Sequence, residues 1–261
     1  MGEIDFNKAS LIVSAVASLA TLVTMVLVAF TLLEMAKQRK TTYRPDIVLT
    51  TSGYFIYAEH QGGALSYLHF SNEEVGSNTV QMERRLNRVY LDGFNIGLGT
   101  AKLVDVAWEF QVDHLVQKLN EDVASGFQVE FKHDDVFTEG YLSYKLPKEP
   151  SGGVIALSHD IHRTYDHLLP IHVKAEPTKI SMPFTYLLIT AARLYSTMAD
   201  KTKWAAEAFP VLRVKITYAD IGNNVHKKSF SVTPSLVSWR VPPAPHNLQV
   251  GLMAVAIAED K

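Results

Sequence analysis

From Leu11 to Leu33 the chain runs for 23 residues without a charge, a glycine or a proline. As a helix rising about 1.5 Å per residue, this stretch reaches roughly 35 Å, enough to cross the hydrocarbon core of a bilayer. A cleaved signal peptide is the competing reading, but such a peptide has a basic start, an apolar core of about 7 to 15 residues and a small-residue cleavage site. Here the start carries Glu3, Asp5 and Lys8, a net charge of −1, and the run closes on Phe30, Leu32 and Leu33. The segment therefore reads as an uncleaved transmembrane helix over residues 11–33, preceded by a short extracytoplasmic N-terminus, residues 1–10.

Residues 34–44 form a basic juxtamembrane stem in which Lys37, Arg39, Lys40 and Arg44 outweigh Glu34. Basic flanks stay on the cytoplasmic side because carrying them through the membrane is costly. The expected topology is single-pass, with the N-terminus outside and the C-terminal domain in the cytoplasm. The whole chain carries a net charge of −2, which leaves −4 for residues 45–261. That part should be mildly repelled by anionic lipid while its stem is attracted to it.

Within the span, Ser14, Ala17, Ser18, Thr21 and Thr24 fall on one helical stripe with Val28, whereas Ile12, Val16, Leu19, Val23 and Phe30 lie opposite. Small side chains let two backbones approach, and hydroxyls can bond across the contact. Two readings stay open: pairing with a second copy or a partner helix, and a lone anchor in which small residues are tolerated against lipid.

Composition bounds the remainder. With 47% hydrophobic residues and 25 basic against 27 acidic side chains, the chain is neither disordered nor collagen-like, and its balanced charge gives no basic face for nucleic acid. The absence of cysteine excludes a disulfide framework, a thiolate nucleophile and every cysteine-based metal site. From residue 45 onward the patterning is that of strands. Val104, Val106, Trp108, Phe110 and Val112 alternate with polar or small neighbours, as do Phe127, Val129 and Phe131, and again Leu212, Val214, Ile216 and Tyr218. Weaker runs cover Asp46 to Leu49, Tyr54 to Tyr57 and Leu65 to Phe70. Asp220-Ile221-Gly222-Asn223-Asn224 is a turn that should join the Leu212 strand to Val225–Val232 as a hairpin. After the stiff Pro242-Pro243-Ala244-Pro245 connector, Leu248 to Ala258 should return as a strand.

Helical spacing appears twice, after Asp113 and from Phe184 onward. In the second stretch Phe184, Leu187, Leu188, Ala191, Leu194, Tyr195 and Met198 share a face, while Arg193 argues against a second membrane span. Such a helix would pack on a sheet or lie at the membrane surface. The expected fold is mainly β: an N-terminal transmembrane helix followed by an elaborated antiparallel β-sandwich of eight to nine strands with one or two short helices. One domain over residues 45–261 is favoured over two lobes meeting near Lys148–Gly153.

Asn95-Ile96-Gly97-Leu98-Gly99-Thr100-Ala101 and Tyr218-Ala219-Asp220-Ile221-Gly222 resemble a pattern in uncharacterised bacterial single-pass membrane proteins with an immunoglobulin-like sandwich. The resemblance implies a bacterial setting and the sandwich, and it brings no catalytic residue. Physically, Gly97 and Gly99 suit a turn or bulge between strands. A phosphate-binding glycine loop would instead open a helix, and here an alternating strand follows.

Chemistry-bearing residues concentrate in His159-Asp160-Ile161-His162-Arg163-Thr164-Tyr165-Asp166-His167, with His172 beyond. On a strand Asp160, His162 and Asp166 would point to one side and His159 and His167 to the other, so no face collects a full coordination sphere. Surface polar residues, a pH-responsive cluster and a metal site are the three readings of this segment. His133-Asp134-Asp135 reads as a solvated turn, Glu83-Arg84-Arg85 with Arg88 as a charged loop, and no G-x-S-x-G elbow is present. No catalytic, cofactor or metal residues are assigned. The leading expectation is a non-enzymatic adaptor or sensor, with the bilayer and a protein partner as its contacts and a homo-oligomer through the helix as an option. A membrane-perturbing toxin or defence effector and a metal-dependent hydrolase using His159–His172 are the alternatives.

Overall fold

The computed structural model describes residues 3–61, 64–74, 88–121, 128–132, 140–145, 153–199, 209–241 and 248–260. Two compact units are present, residues 1–44 and residues 45–261.

The first unit is one helix, α1, Glu3–Thr42. Within it Lys8–Arg39 is long and apolar enough to span a membrane, with a mean hydropathy of 2.5. Thr21, Thr24 and Thr31 each donate their hydroxyl to the carbonyl four residues earlier at 2.8 Å. These threonines need no polar partner beyond their own helix. The Pro at position 45 cannot continue the helical ladder, and the chain turns at Tyr43 and becomes extended from Ile47.

The second unit is mainly β. Thirteen strands are described: β1 Ile47–Thr50, β2 Gly53–Gln61, β3 Ala64–Ser71, β4 Tyr90–Asn95, β5 Ala101–Glu109, β6 Gln128–Lys132, β7 Tyr141–Lys145, β8 Gly153–Ala156, β9 His162–Leu168, β10 Thr178–Ser181, β11 Leu212–Ala219, β12 Val225–Arg240 and β13 Leu248–Glu259. They form a seven-stranded sheet, β3-β2-β13-β12-β11-β5-β9, and two three-stranded sheets, β1-β4-β10 and β6-β7-β8. Every strand pair is antiparallel. The expected hairpin is β11–β12, with Ala219 opposite Val225 and Leu212 opposite Val232. The C-terminal segment returns as β13, between β12 and β2.

Three short helices follow α1: α2 Val112–Glu121, α3 Leu157–Ile161 and α4 Phe184–Ala199. The alternation read through Val112 therefore stops earlier than expected, because β5 ends at Glu109 and Val112 opens α2. Helix α2 buries Leu115, Val116 and Leu119, the face its periodicity marked. Helix α4 departs more from its sequence reading. Every residue from Thr185 to Tyr195 is buried, including Tyr186, Ile189, Ala192 and Arg193 on the side expected to be wet. Its surroundings are protein all round: the Phe184 ring meets Phe70 of β3 edge-on, and Tyr186 meets Phe110 at 5.5 Å. One apolar cluster joins α4 and α2 to buried residues of strands from all three sheets, among them Ile47, Phe70, Trp108, Val129, Leu142, Ile180 and Val214.

The strands the sequence pattern passed over are short or polar. In β9 the exposed residues His162, Thr164, Asp166 and His167 outnumber the buried ones, and β10 holds a single buried residue, Ile180. The turn at Gly62-Gly63, Phe127, the His133 acids, the Lys148–Ser151 stretch and Gly152, Glu83 to Arg85, and the Pro242–Pro245 connector lie outside the described residues.

Candidate functional site

The chain enters the second unit at Pro45, and the residues that receive it define one end of the domain, here called the stem end. Its hub is Asn95, at the close of β4. The buried Asn95 amide donates to the carbonyls of Gly99 at 2.7 Å and Leu168 at 3.0 Å. Its oxygen accepts from the backbone N–H of Asp46 at 3.0 Å and of Gly97 at 3.1 Å. All four hydrogen-bonding positions of one side chain are thus used to bind the start of β1, the 96–100 loop and the close of β9. Backbone bonds reinforce it, from Ile96 N–H to Asp46 and from Ile171 N–H to Asn95. In the N-x-G-x-G pattern the asparagine carries the structural role; Gly97 and Gly99, expected to take turn or bulge conformations that favour glycine, have no positive φ, and a Cβ on either would meet open space.

The second motif lies at the same end. Asp220 closes the β11–β12 turn by accepting from the backbone and side-chain nitrogens of Asn224, both at 2.8 Å, and its Oδ2 lies 3.2 Å from His226 Nε2. Asn223 adopts φ 61°, which the turn requires and asparagine tolerates. Burial pushes the Asp220 carboxyl up, but the donors from Asn224 and His226 outweigh it and hold the pKa at about 2. The Tyr218 ring stacks on His226 at 5.4 Å, and its hydroxyl donates to the Pro45 carbonyl at 3.4 Å. Lys228 bridges Asp46 and Glu259, which together raise its pKa against the lowering effect of burial. These contacts fasten the incoming chain to the long hairpin.

A third feature is Leu103. Between β5 and β11 the register slips, with Thr217 opposite Asp105 and Ala219 opposite Lys102, so β5 carries an extra residue. Leu103 occupies it at φ 48° and leaves its side chain 77% exposed. Glycine is the usual occupant of a left-handed bulge position, and a leucine there costs roughly 1–2 kcal/mol.

The histidine-rich segment divides between two unrelated roles. Asp160 lies in α3 and not on a strand; it is buried and receives the backbone N–H groups of Phe184 and Thr185, both at 2.8 Å. It caps α4 from outside that helix, satisfying two of the donors a helix start leaves open. His159 is exposed in the same short helix. His162 through His167 form β9, an outer strand of the seven-stranded sheet, and Tyr165 reaches Lys179 of β10 through its hydroxyl. His172 lies exposed beyond Pro170. The expected sidedness of a single strand from His159 to His167 is therefore replaced by a helix followed by a strand. Among the described residues, no group of three His, Asp or Glu side chains could hold a metal ion.

Of the flanking cations, Lys37, Arg39 and Arg44 are exposed, and Lys40 lies in the same turn region of α1. Ser14, Ala17, Ser18, Thr21 and Thr24 are exposed along α1. Elsewhere, an open depression of about 430 Å³ lies between α2 and the start of β11, with Glu109, Gln111, His114 and Arg213 on its wall. Glu109 is engaged by Lys215 and Arg213 by Asp260 at 3.3 Å, and no nucleophile faces it with a base alongside. No family model, curated protein or solved structure matches the chain.

Proposed function

We propose that this chain is a single-pass bacterial inner-membrane protein that holds an antiparallel β-sandwich at the cytosolic face, where the domain recruits a protein partner as an adaptor or sensor. The supporting observation is α1. Lys8–Arg39 is exposed throughout, with Leu19, Leu22, Met25, Phe30 and Leu33 each more than three-fifths accessible. Each large apolar side chain left in water forgoes about 1.5–3 kcal/mol, so a helix of this composition belongs in lipid. Lys37, Arg39, Lys40 and Arg44 hold its C-terminal end on the cytosolic side. Recruitment suits β9: an outer strand offers a row of backbone donors and acceptors to which an extended peptide adds as a further strand.

Protease added to inverted membrane vesicles should digest the chain beyond Glu34, and an intact domain would overturn the orientation. A photo-crosslinking residue at Thr164 of β9 should capture a reproducible protein in native membranes that the same residue at Val154 does not. Equal capture at both positions would overturn the β9 reading.

A further inference from the structure

We infer that the stem end of the domain is itself a lipid-binding surface, a rim of apolar loop residues that enters the headgroup layer. This goes beyond tethering by α1 and rests on that reading only for the presence of a bilayer. The apolar residues come from separate loops that the fold gathers at one end. Ile96 and Leu98, 51% and 50% exposed, sit on the loop held by Asn95. Ile171 and Val173 follow β9 on the segment joined to Asn95 through the Ile171 N–H. Ile221 lies inside the Asp220 turn and Val225 opens β12 just after it, and the Lys102 ammonium donates to the Ile221 carbonyl, bringing that turn to the start of β5.

Turn residues are ordinarily polar, and a cluster of exposed aliphatic tips on adjoining loops marks a surface that is covered in use. The bulge at Leu103 points the same way. A strained backbone holds an apolar side chain outward where glycine would relax it, and such strain persists where the side chain has a use. Lipid is the occupant because of where the rim lies. The apolar run ends at Leu33 and the domain begins at Pro45; the stem between them is about 14 Å of helix to Thr42 and at most about 10 Å of chain beyond it. The chain enters the domain through Asp46 and Ile47, which pair with this same end. The local carboxylates suit an interfacial location too, since Asp46 is neutralised by Lys228 and Asp220 is enclosed by Asn224 and His226. Asp166 and Glu176 remain exposed, so the contact is driven by apolar insertion and not by attraction to anionic lipid.

The chain has no cysteine, which permits single nitroxide labels on the full-length protein in phospholipid vesicles. Labels at Leu98→Cys, Val173→Cys and Ile221→Cys should collide with oxygen in several-fold preference over a water-soluble nickel chelate, relative to labels at Val154→Cys and Val237→Cys. Leu19→Cys reports on the anchor. An immersed Leu19 label with rim labels matching Val154 overturns the lipid-binding rim and leaves the anchor standing, whereas a water-exposed Leu19 label overturns the anchor. Rim labels shielded from both reagents would reveal a protein seat and would also overturn the inference. In a second arm, Leu98→Ser with Ile221→Ser should leave the melting temperature unchanged and abolish the oxygen preference of the Val173 label. Leu103→Gly should raise the melting temperature and weaken that preference, and an unchanged preference in both variants would count against the rim.

Discussion

Helices α1 and α4 are both apolar, yet they meet opposite surroundings. Residues 8–39 of α1 are exposed at every position, and Thr185–Tyr195 of α4 is buried at every position. The difference lies in what interrupts them. Helix α1 has 23 residues without a charge, whereas α4 is 16 residues long and includes Arg193; hydroxyls do not separate the two, since Thr21 and Thr24 of α1 and Thr190 of α4 all donate to carbonyls of their own helix. A helix too short to cross the hydrocarbon core, and carrying a charge, is enclosed by protein. A longer uninterrupted one meets the length and composition needed to cross lipid, which supplies no polar partners. The comparison teaches that overall hydrophobicity does not decide between core and membrane; length and the placing of polar groups do.

The contrast breaks most readily at its buried half. Truncating Leu188 or Leu194 of α4 to Ala should destabilise the domain by about 2–5 kcal/mol in chemical unfolding, while Leu19→Ala in α1 should leave that transition unmoved. Equal effects would mean that α1 packs on protein. A charge tests the other half: Val23→Arg, at the middle of the apolar run, should disfavour insertion by about 3 kcal/mol and release the chain from the membrane fraction.

Acid sharpens the comparison within the domain alone. His69 is buried in β3, and burial lowers its pKa from 6.5 to about 4. Its neutral form is favoured on folding, so its contribution is complete above the unfolded value of 6.5 and is lost as pH falls toward 4. Asp220 adds a separate limb, its stabilisation being present above the unfolded carboxylate value and lost as pH falls through about 2. His69→Gln should flatten the stability profile between pH 6.5 and 4, and Asp220→Asn should flatten it only below about pH 4; a single shared limb would contradict both assignments. The smallest expected change is at the cap of α4. Asp160→Ala should cost about 1–2 kcal/mol by removing the acceptor for the Phe184 and Thr185 N–H groups, with no loss of bound metal on elemental analysis.

Much of the strand content was legible because alternation is a local property. Val104, Val106 and Trp108, or Leu212, Val214 and Ile216, declare a half-wet strand whatever surrounds them, and each is buried as its period requires. β9 and β10 were not legible, since His162-Arg163-Thr164-Tyr165-Asp166 has no apolar period and is a strand only because β5 pairs with it. Asp160 was left with surface, pH-responsive and metal readings for a related reason. A carboxylate among histidines does not announce a helix cap, because the N-terminus of α4 that it receives lies 24 residues later in the chain. The stem-end rim left a fainter local trace, in Ile96 and Leu98 between glycines and Ile221 inside a turn, where polar residues are usual.

By itself, then, the amino-acid order determined a helix long and apolar enough to cross a membrane, its basic flank, the β11–β12 hairpin and the mainly β character of the remainder, because charge, hydropathy and period are carried by neighbouring residues. Tertiary structure alone decided that α4 would be enclosed on every side, that Asn95 would bind three segments together and that loops far apart in the chain would be gathered at the end of the domain where β1 begins. Those outcomes depend on which surfaces exclude water from one another, and that is a property of the packed chain and of no single segment.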